Sequence, residues 1–243
     1  MNRTIYNLEY TSDYMKENKI YENSERERNK RLDCLVCGSK THLICDKEIK
    51  VTYSVCNKCG FIYKDKEYHL DYDDEYREYN THNNSFESVG YVKMFQEFIK
   101  KHINPLKISG KVLDYGSGPG PVLKELLKKK GLDVYDYDPF FNVNDEYLKY
   151  KYNLIISTEV IEHFSNPLEE FKHLVSILAK GGYIVVMTTF NNYSEEEFLK
   201  WRYRREASHI SFFSIRTLEY IAKVTQLRVL NHNNRNVMVF QKK

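Results

Sequence analysis

The sequence has no apolar run near the ~18 residues that a membrane-crossing helix requires. Its start, MNRTIYNLEYTSDYMKENKI, lacks the apolar core of a signal peptide. A cytoplasmic chain, away from membranes, is expected. An excess of charge of one sign is missing too. Lys and Arg number 37 against 34 Asp and Glu, a net +3. That balance excludes a grip on duplex nucleic acid through the whole surface and leaves room only for a local basic patch. Tryptophan occurs once, against 21 Tyr and 13 Phe, so most rings carry a hydroxyl and suit polar pockets as well as a core. Five cysteines make no disulfide framework in that compartment. With 243 residues and 42% apolar content, global disorder is excluded, and one large domain or a medium one with a small appendage is in reach.

What is present is organised in segments. Residues 1–31 mix charge with isolated apolar side chains, and SERERNKRL offers no face to bury, so this part is read as a mobile or loosely docked arm. Residues 32–63 carry Cys34-Leu-Val-Cys37 and Cys56-Asn-Lys-Cys59, each pair followed by glycine, Gly38 and Gly60. This is the spacing of a four-thiolate zinc site. Each turn offers two thiolates at about 2.3 Å from the ion, and the glycines allow the positive φ of tight knuckles. VTYSV between the pairs reads as a strand, and so small a unit owes much of its folding to the metal. Cys45 falls outside the tetrad and is expected as a small buried residue.

Residues 64–104 begin acidic and Tyr-rich and then become helical, with an apolar stripe of Val92, Phe95, Phe98, Ile99 and Ile103. A linker, a lid or one wall of a substrate pocket fits, with His82 and Asn83 as candidate polar contacts; a solvated loop is the alternative. The density of Tyr between 63 and 91 favours the pocket wall.

From 105 to 243 strands and helices alternate. The strand KVLDY leads into the loop GSGPG, then a helix opened by Pro121 and closed at Gly131. The strand DVYDYD ends at Pro139, and YNLIIS follows. A helix begins at Asn166 and Pro167, with Leu168, Phe171, Val175 and Leu178 as its buried face and Gly181 and Gly182 as its stop. YIVVMTT, a helix capped by Ser214, and a hairpin of LRVLN and VMVFQK complete the pattern. Such alternation predicts an α/β fold with a doubly wound, mainly parallel sheet.

The loop after the first strand is Asp114-Tyr-Gly116-Ser-Gly118-Pro-Gly120. A carboxylate so close to the helix N-terminus repels a pyrophosphate but welcomes an ammonium group. S-adenosylmethionine carries that ammonium, a carboxylate for backbone N–H groups, and a ribose for an acid at the end of the second strand. Asp138 is placed for the ribose hydroxyls; Asp136, inside the strand, is the weaker alternative.

VLDYGSGPG, the acid in YDYDP, and YNLIISTEVIEHF together resemble the successive motifs of class I S-adenosylmethionine-dependent methyltransferases, over about residues 111–243. The chain also resembles bacterial methyltransferases with an N-terminal zinc ribbon, some of which act on sugars; the segment from Trp201 to Ser214 shares their look. The resemblance implies a Rossmann-like domain and a cofactor wall of Asp114, Tyr115, Gly116, Ser117, Gly118, Gly120, Asp138, Pro139, Phe140 and Glu159. One departure stands out. Only residues 139–152 separate the second strand from YNLIIS, too few for a helix, a strand and a helix. A trimmed sheet edge is therefore expected, with Phe140 or Phe141 covering the adenine.

At the reacting end, Glu159, Glu162 and His163 would share a face if their turn is helical, and His209 lies in a later loop that opens at the same end of the sheet. His163 is the first candidate base, with His209 beside it and the two glutamates in support. The set also resembles the metal site of small-RNA 2′-O-methyltransferases, whose pattern Phe213 and Ser214 continue. Its first part resembles ubiquinone-pathway O-methyltransferases. A second divalent cation on Glu159, Glu162, His163 and His209 would lower the pKa of an acceptor hydroxyl; metal-free substrate binding and a structural role stay open. Lys200, Arg202, Arg204 and Arg205 around Trp201 and Tyr203 could meet a phosphate or a single strand, or form a solvated face. No Asn/Asp-Pro-Pro-aromatic motif follows YNLIIS, where Ser157-Thr-Glu-Val stands. By resemblance this counts against methylation of base amines.

The expected function is S-adenosylmethionine-dependent transfer of methyl to an oxygen, less readily a carbon, of a small polar molecule or sugar conjugate. RNA ribose methylation and a non-catalytic module that keeps the cofactor fold are the alternatives. The sequence leaves the oligomeric state open.

Overall fold

The computed structural model describes residues 33–81 and 84–243. The expected arm, residues 1–31, and the candidates His82 and Asn83 lie outside the described residues. Among these residues no helix is long and apolar enough to cross a membrane.

The cysteine-rich segment forms three antiparallel strands, β1 (His42–Asp46), β2 (Val51–Val55) and β3 (Ile62–Lys64). β2 is the expected VTYSV. Cys45, expected to be buried, is exposed: along β1 the side chains of Ile44 and Asp46 turn inward, which leaves Cys45 facing out. Two helices follow, α1 (Tyr72–Tyr79), capped by Asp71, and α2 (Val89–Phe98). The stripe on α2 is as expected: Phe95, Phe98, Ile99 and Ile103 are buried against Val112, Leu123 and Ile156, with Val92 partly covered.

The remaining chain runs β4 (Lys111–Tyr115), α3 (Val122–Lys128), β5 (Asp133–Tyr137), β6 (Tyr152–Thr158), α4 (Pro167–Ile177), β7 (Leu178–Met187), α5 (Glu195–Lys200), β8 (Ser211–Phe212), α6 (Ile215–Val224), β9 (Leu227–His232) and β10 (Val237–Lys242). The main sheet has the order β5-β4-β6-β7-β10-β9. Neighbouring pairs among β5, β4, β6 and β7 are parallel, and β10 alone runs against its neighbours. This is a doubly wound, mainly parallel sheet of Rossmann type, as expected.

Between β5 and β6 there is only a single 3-10 turn, Glu146–Lys149, so the sheet ends at β5. Tyrosine rings cover that margin. Tyr137 packs on Tyr147 with centroids 4.2 Å apart, and Tyr135 on Tyr150 at 4.8 Å. Lys111 donates to the Tyr135 hydroxyl at 2.7 Å.

Two local expectations shift. α4 buries Phe171, Leu174 and Ile177 rather than a face through Leu168 and Val175. It also stops before the glycines, so Gly181 and Gly182 fall inside β7, beside a bulge in its pairing with β6. Extended backbone at Leu178 ends the helix, and Gly181, at φ 72°, takes the left-handed turn that the bulge requires. α6 is capped by Ser214 as expected, through a box with Thr217. Its Leu218 and Ile221 are fully buried, each side chain worth roughly 1.5–3 kcal/mol of burial.

β8 does not join the main sheet. It pairs with β3, Ile62 opposite Phe212 and Tyr63 opposite Ser211, and gives the cysteine-bearing sheet the order β1-β2-β3-β8.

Candidate active site

A cavity of about 570 Å³ opens at the carboxyl ends of β4, β5 and β6, where this topology places its ligands. Asp114, Tyr115, Gly116, Ser117, Gly118, Gly120, Asp138, Pro139, Phe140, Glu159, His163 and His209 all border it. Glu162, the remaining member of the Glu/His set, lies behind the wall, fully buried. Asp114 is 3% exposed. Burial, then the charges of Asp136 and Asp138, push its carboxyl up to about 7. Asp136, the weaker ribose candidate, pairs with Lys124 at 2.6 Å and does not reach the cavity.

The glycine loop is more occupied than expected. Gly116 and Ser117 donate their N–H groups to the Tyr137 carbonyl, at 2.8 and 3.1 Å, and Gly118 donates to Asp138 Oδ2 at 2.8 Å. Three N–H groups foreseen for a ligand carboxylate thus lock the loop to the end of β5. Asn84, unremarked in the sequence, crosses the loop: a Cβ at Gly120 would sit 1.5 Å from its carbonyl oxygen, so only glycine fits there. The other Asp138 oxygen accepts from Phe140 and Phe141 N–H at 2.9 and 3.0 Å, an Asx turn that aims both rings. Tyr72 stacks on Phe140 at 4.9 Å, and Tyr76 lies 5.4 Å from Phe141. α1 therefore roofs this end of the cavity.

The Glu/His cluster forms without the expected helical turn. Glu159 has φ 54°, and Ile161–His163 is a 3-10 turn. Glu159 and Glu162 meet instead at the hydroxyl of Tyr203, whose oxygen lies 3.2 and 2.5 Å from theirs and whose single proton goes to the nearer, Glu162. Burial first, then each other's charge for Glu159, holds both carboxyls above the usual range. Tyr203 could have been noticed only as one ring in a basic run. His163 Nδ1 lies 2.9 Å from the Ser208 carbonyl and His209 Nδ1 2.9 Å from the Tyr203 carbonyl. A carbonyl can only accept, so each Nδ1 carries the proton and each lone pair sits on Nε2. The two rings are 5.1 Å apart.

Ligand atoms of Glu162, His163 and His209 lie within 4.8 Å of one another, and Glu162 Oε2 is buried without a partner. These three residues could hold a cation; Glu159, the fourth of the expected set, stays with Tyr203. Of the basic run only Arg204 is used internally; Lys200, Arg202 and Arg205 are exposed. Arg204 is fully buried and pairs with Asp46 at 2.5 Å, Arg205 pairs with Glu48 at 2.7 Å, and Lys200 with Glu196 at 2.5 Å.

At the knuckles, Cys34 and Cys59 sulfurs are 3.5 Å apart, as are those of Cys37 and Cys56, with all four ligand atoms within 4.8 Å. Tetrahedral Zn–S bonds of about 2.3 Å imply sulfur separations of about 3.8 Å, so the cluster is compatible with zinc.

A parallel sheet with a glycine loop after one strand and an acid ending the next is the Rossmann-like fold of methyltransferases. A family model described as a methyltransferase domain matches residues 91–232, more than half of the chain, and the chain belongs to that family. No curated protein matches the sequence. Among solved structures, an O-methyltransferase family protein from Burkholderia thailandensis is 10% identical, with 63% of this chain and 57% of that one covered and a TM-score of 0.46. Magnesium protoporphyrin IX methyltransferase from Synechocystis, with bound S-adenosylhomocysteine, is 12% identical over 72% and 89%, at 0.49. A methyltransferase from Archaeoglobus fulgidus is 14% identical over 71% and 100%, at 0.48. The chain spans little more than half of the first of these.

Proposed function

We propose that the protein transfers the methyl group of S-adenosylmethionine to an oxygen, or less readily a carbon, of a small polar molecule or sugar conjugate. The donor would supply an electrophilic methyl on sulfur, open to in-line displacement. Asp114, buried and facing the cavity, would hold its ammonium, and Asp138 its ribose hydroxyls. Phe140 and Phe141 would cover the base. The carrying observation is the pair of imidazoles whose Nδ1 atoms are pinned to carbonyls, which puts the basic lone pairs on Nε2 at the cavity wall. Either Nε2 can take the proton of an acceptor hydroxyl.

The lining supports an acceptor without phosphate. Its acidic members among the described residues are Glu75, Asp114, Asp138, Glu159, Glu170 and Glu206, with no Lys or Arg. RNA is disfavoured on that count.

One observation favours a metal-assisted variant, the unpartnered Glu162 Oε2 beside two imidazoles. Glu162, His163 and His209 would hold the cation, which would acidify a bound hydroxyl.

The test is methyl-labelled donor with full-length protein and a panel of polyols, sugar conjugates and short RNA. Label on a small hydroxylated acceptor is expected. His163→Asn and His209→Asn should lower kcat by about 10²-fold or more and leave S-adenosylhomocysteine affinity unchanged. Label entering only RNA, or full activity in both variants, would overturn the reading.

A further inference from the structure

Lys64, the last residue of β3, is 3% exposed. Its Nζ donates to the carbonyls of Glu206 and Ala207, at 2.7 and 2.9 Å, and its backbone N–H donates to the Ile210 carbonyl at 2.9 Å. A cation withdrawn so far from water is costly unless its donors are fully used, and burial accordingly lowers its pKa to about 8. Three bonds from one residue thus grip both ends of the turn 206–210.

That turn carries the chemistry. His209 lies in it, and its Ser208 carbonyl is the acceptor for His163 Nδ1. Glu78 of α1 accepts from Ser208 Oγ at 3.0 Å, and Ile210 N–H donates to the Glu162 carbonyl at 2.9 Å. The cysteine-rich sheet holds the next segment as well: β8 pairs with β3, and Thr217 Oγ1 at the head of α6 donates to the Cys59 carbonyl at 2.9 Å.

We infer that Lys64 is a positioning residue: from the cysteine-rich sheet it clamps the 206–210 turn and so fixes the tautomer and place of both imidazoles. The sheet is then a brace behind the active site, not an appendage. This rests on the reading that His163 and His209 act on the acceptor.

The test uses the full chain loaded with zinc, with Lys64→Met, Lys64→Gln and Lys64→Arg. Nitrogen-15 NMR of the histidine rings, assigned with His163→Asn and His209→Asn, reports the tautomers without any acceptor. The Nδ1–H form should prevail at both rings in the parent and in Lys64→Arg. In Lys64→Met its preference over Nε2–H should fall by about tenfold, the loss of one hydrogen bond's worth of bias, with S-adenosylhomocysteine affinity unchanged. If Lys64→Met does not fold, Lys64→Gln gives the same comparison. Unaltered tautomers in a folded Met or Gln variant overturn the inference. Altered tautomers with undiminished methyl transfer leave the clamp standing and sink the catalytic reading instead.

Discussion

Asp138 accepts the N–H of Gly118 at 2.8 Å, so the acid that ends β5 and the loop that follows β4 form one unit before any ligand arrives. Removing this carboxylate takes away a ribose acceptor and also unlocks the glycine loop. Asp138→Ala is expected to weaken S-adenosylhomocysteine binding by at least about tenfold, the size of a lost charge-assisted hydrogen bond. Asp138→Asn, which can still accept from Gly118, should lose less. Calorimetric titration decides it, and equal losses in both variants would mean that the loop bond is irrelevant.

The pH dependence of donor binding follows from Asp114, whose carboxyl sits near 7 because it is buried beside Asp136 and Asp138. An ammonium group prefers the ionised form. Above pH 7 the carboxylate is ready, and affinity should be level; below it a proton must leave first, and affinity should fall towards about tenfold per unit. Asp114→Asn should bind weakly and without this slope. A flat profile in the parent between pH 5 and 8 would show that Asp114 does not carry the ammonium.

Arg204 and its neighbour Arg205 make opposite predictions. Arg204→Ala would leave Asp46 charged in a dry site, at a cost of about 3–5 kcal/mol. Arg205→Ala removes only an exposed pair with Glu48, within about 0.5 kcal/mol. Thermal unfolding should separate the two variants by about 5–18 °C or leave Arg204→Ala insoluble. Comparable melting temperatures would disprove the burial of Arg204.

Metal content tests the cysteine tetrad. One zinc per chain is expected, with Cys34→Ser or Cys59→Ser losing it and Cys45→Ser retaining it, since Cys45 is exposed and away from the cluster. Mass spectrometry under non-denaturing conditions reads the stoichiometry. Because Thr217 and Ser214 donate to the Cys59 carbonyl, chelation should also lower the melting temperature of the whole chain, not only of the small sheet.

Periodicity and punctuation made the large elements legible. β4 to β7, β9 and β10 follow from apolar strands, cap residues and turn signals close in sequence, and the short span after Asp138 already announced a shortened sheet. That the loop after β4 and Asp138 border one cavity was legible for the same reason, being a strand, a loop and the acid after the next strand. The partners brought in from a distance were not. β8 pairs with β3 across about 150 residues, Tyr203 reaches Glu159 and Glu162 from another loop, and Arg204 looks like any surface arginine until Asp46 is placed beside it. Gly181 and Gly182 misled because glycine serves helix ends and strand bulges alike, and only the register with β6 distinguishes them.

The sheet margin at β5 turns a compositional oddity into a structural record. An outermost strand offers unpaired backbone groups to any passing chain, and its faces are left half clothed. Here β5 is five residues long and bears Asp133 and Asp136, which discourages pairing with another molecule. Tyr135, Tyr137 and Tyr150, packed on the buried Tyr147 and Tyr152, meanwhile supply apolar bodies with hydroxyl tips, material that can end a core and face water in the same side chain. At this margin side-chain chemistry does what a further strand would do. Cutting these rings back to aliphatic residues would expose a sticky border, and the first symptom would be self-association of the protein rather than loss of catalysis.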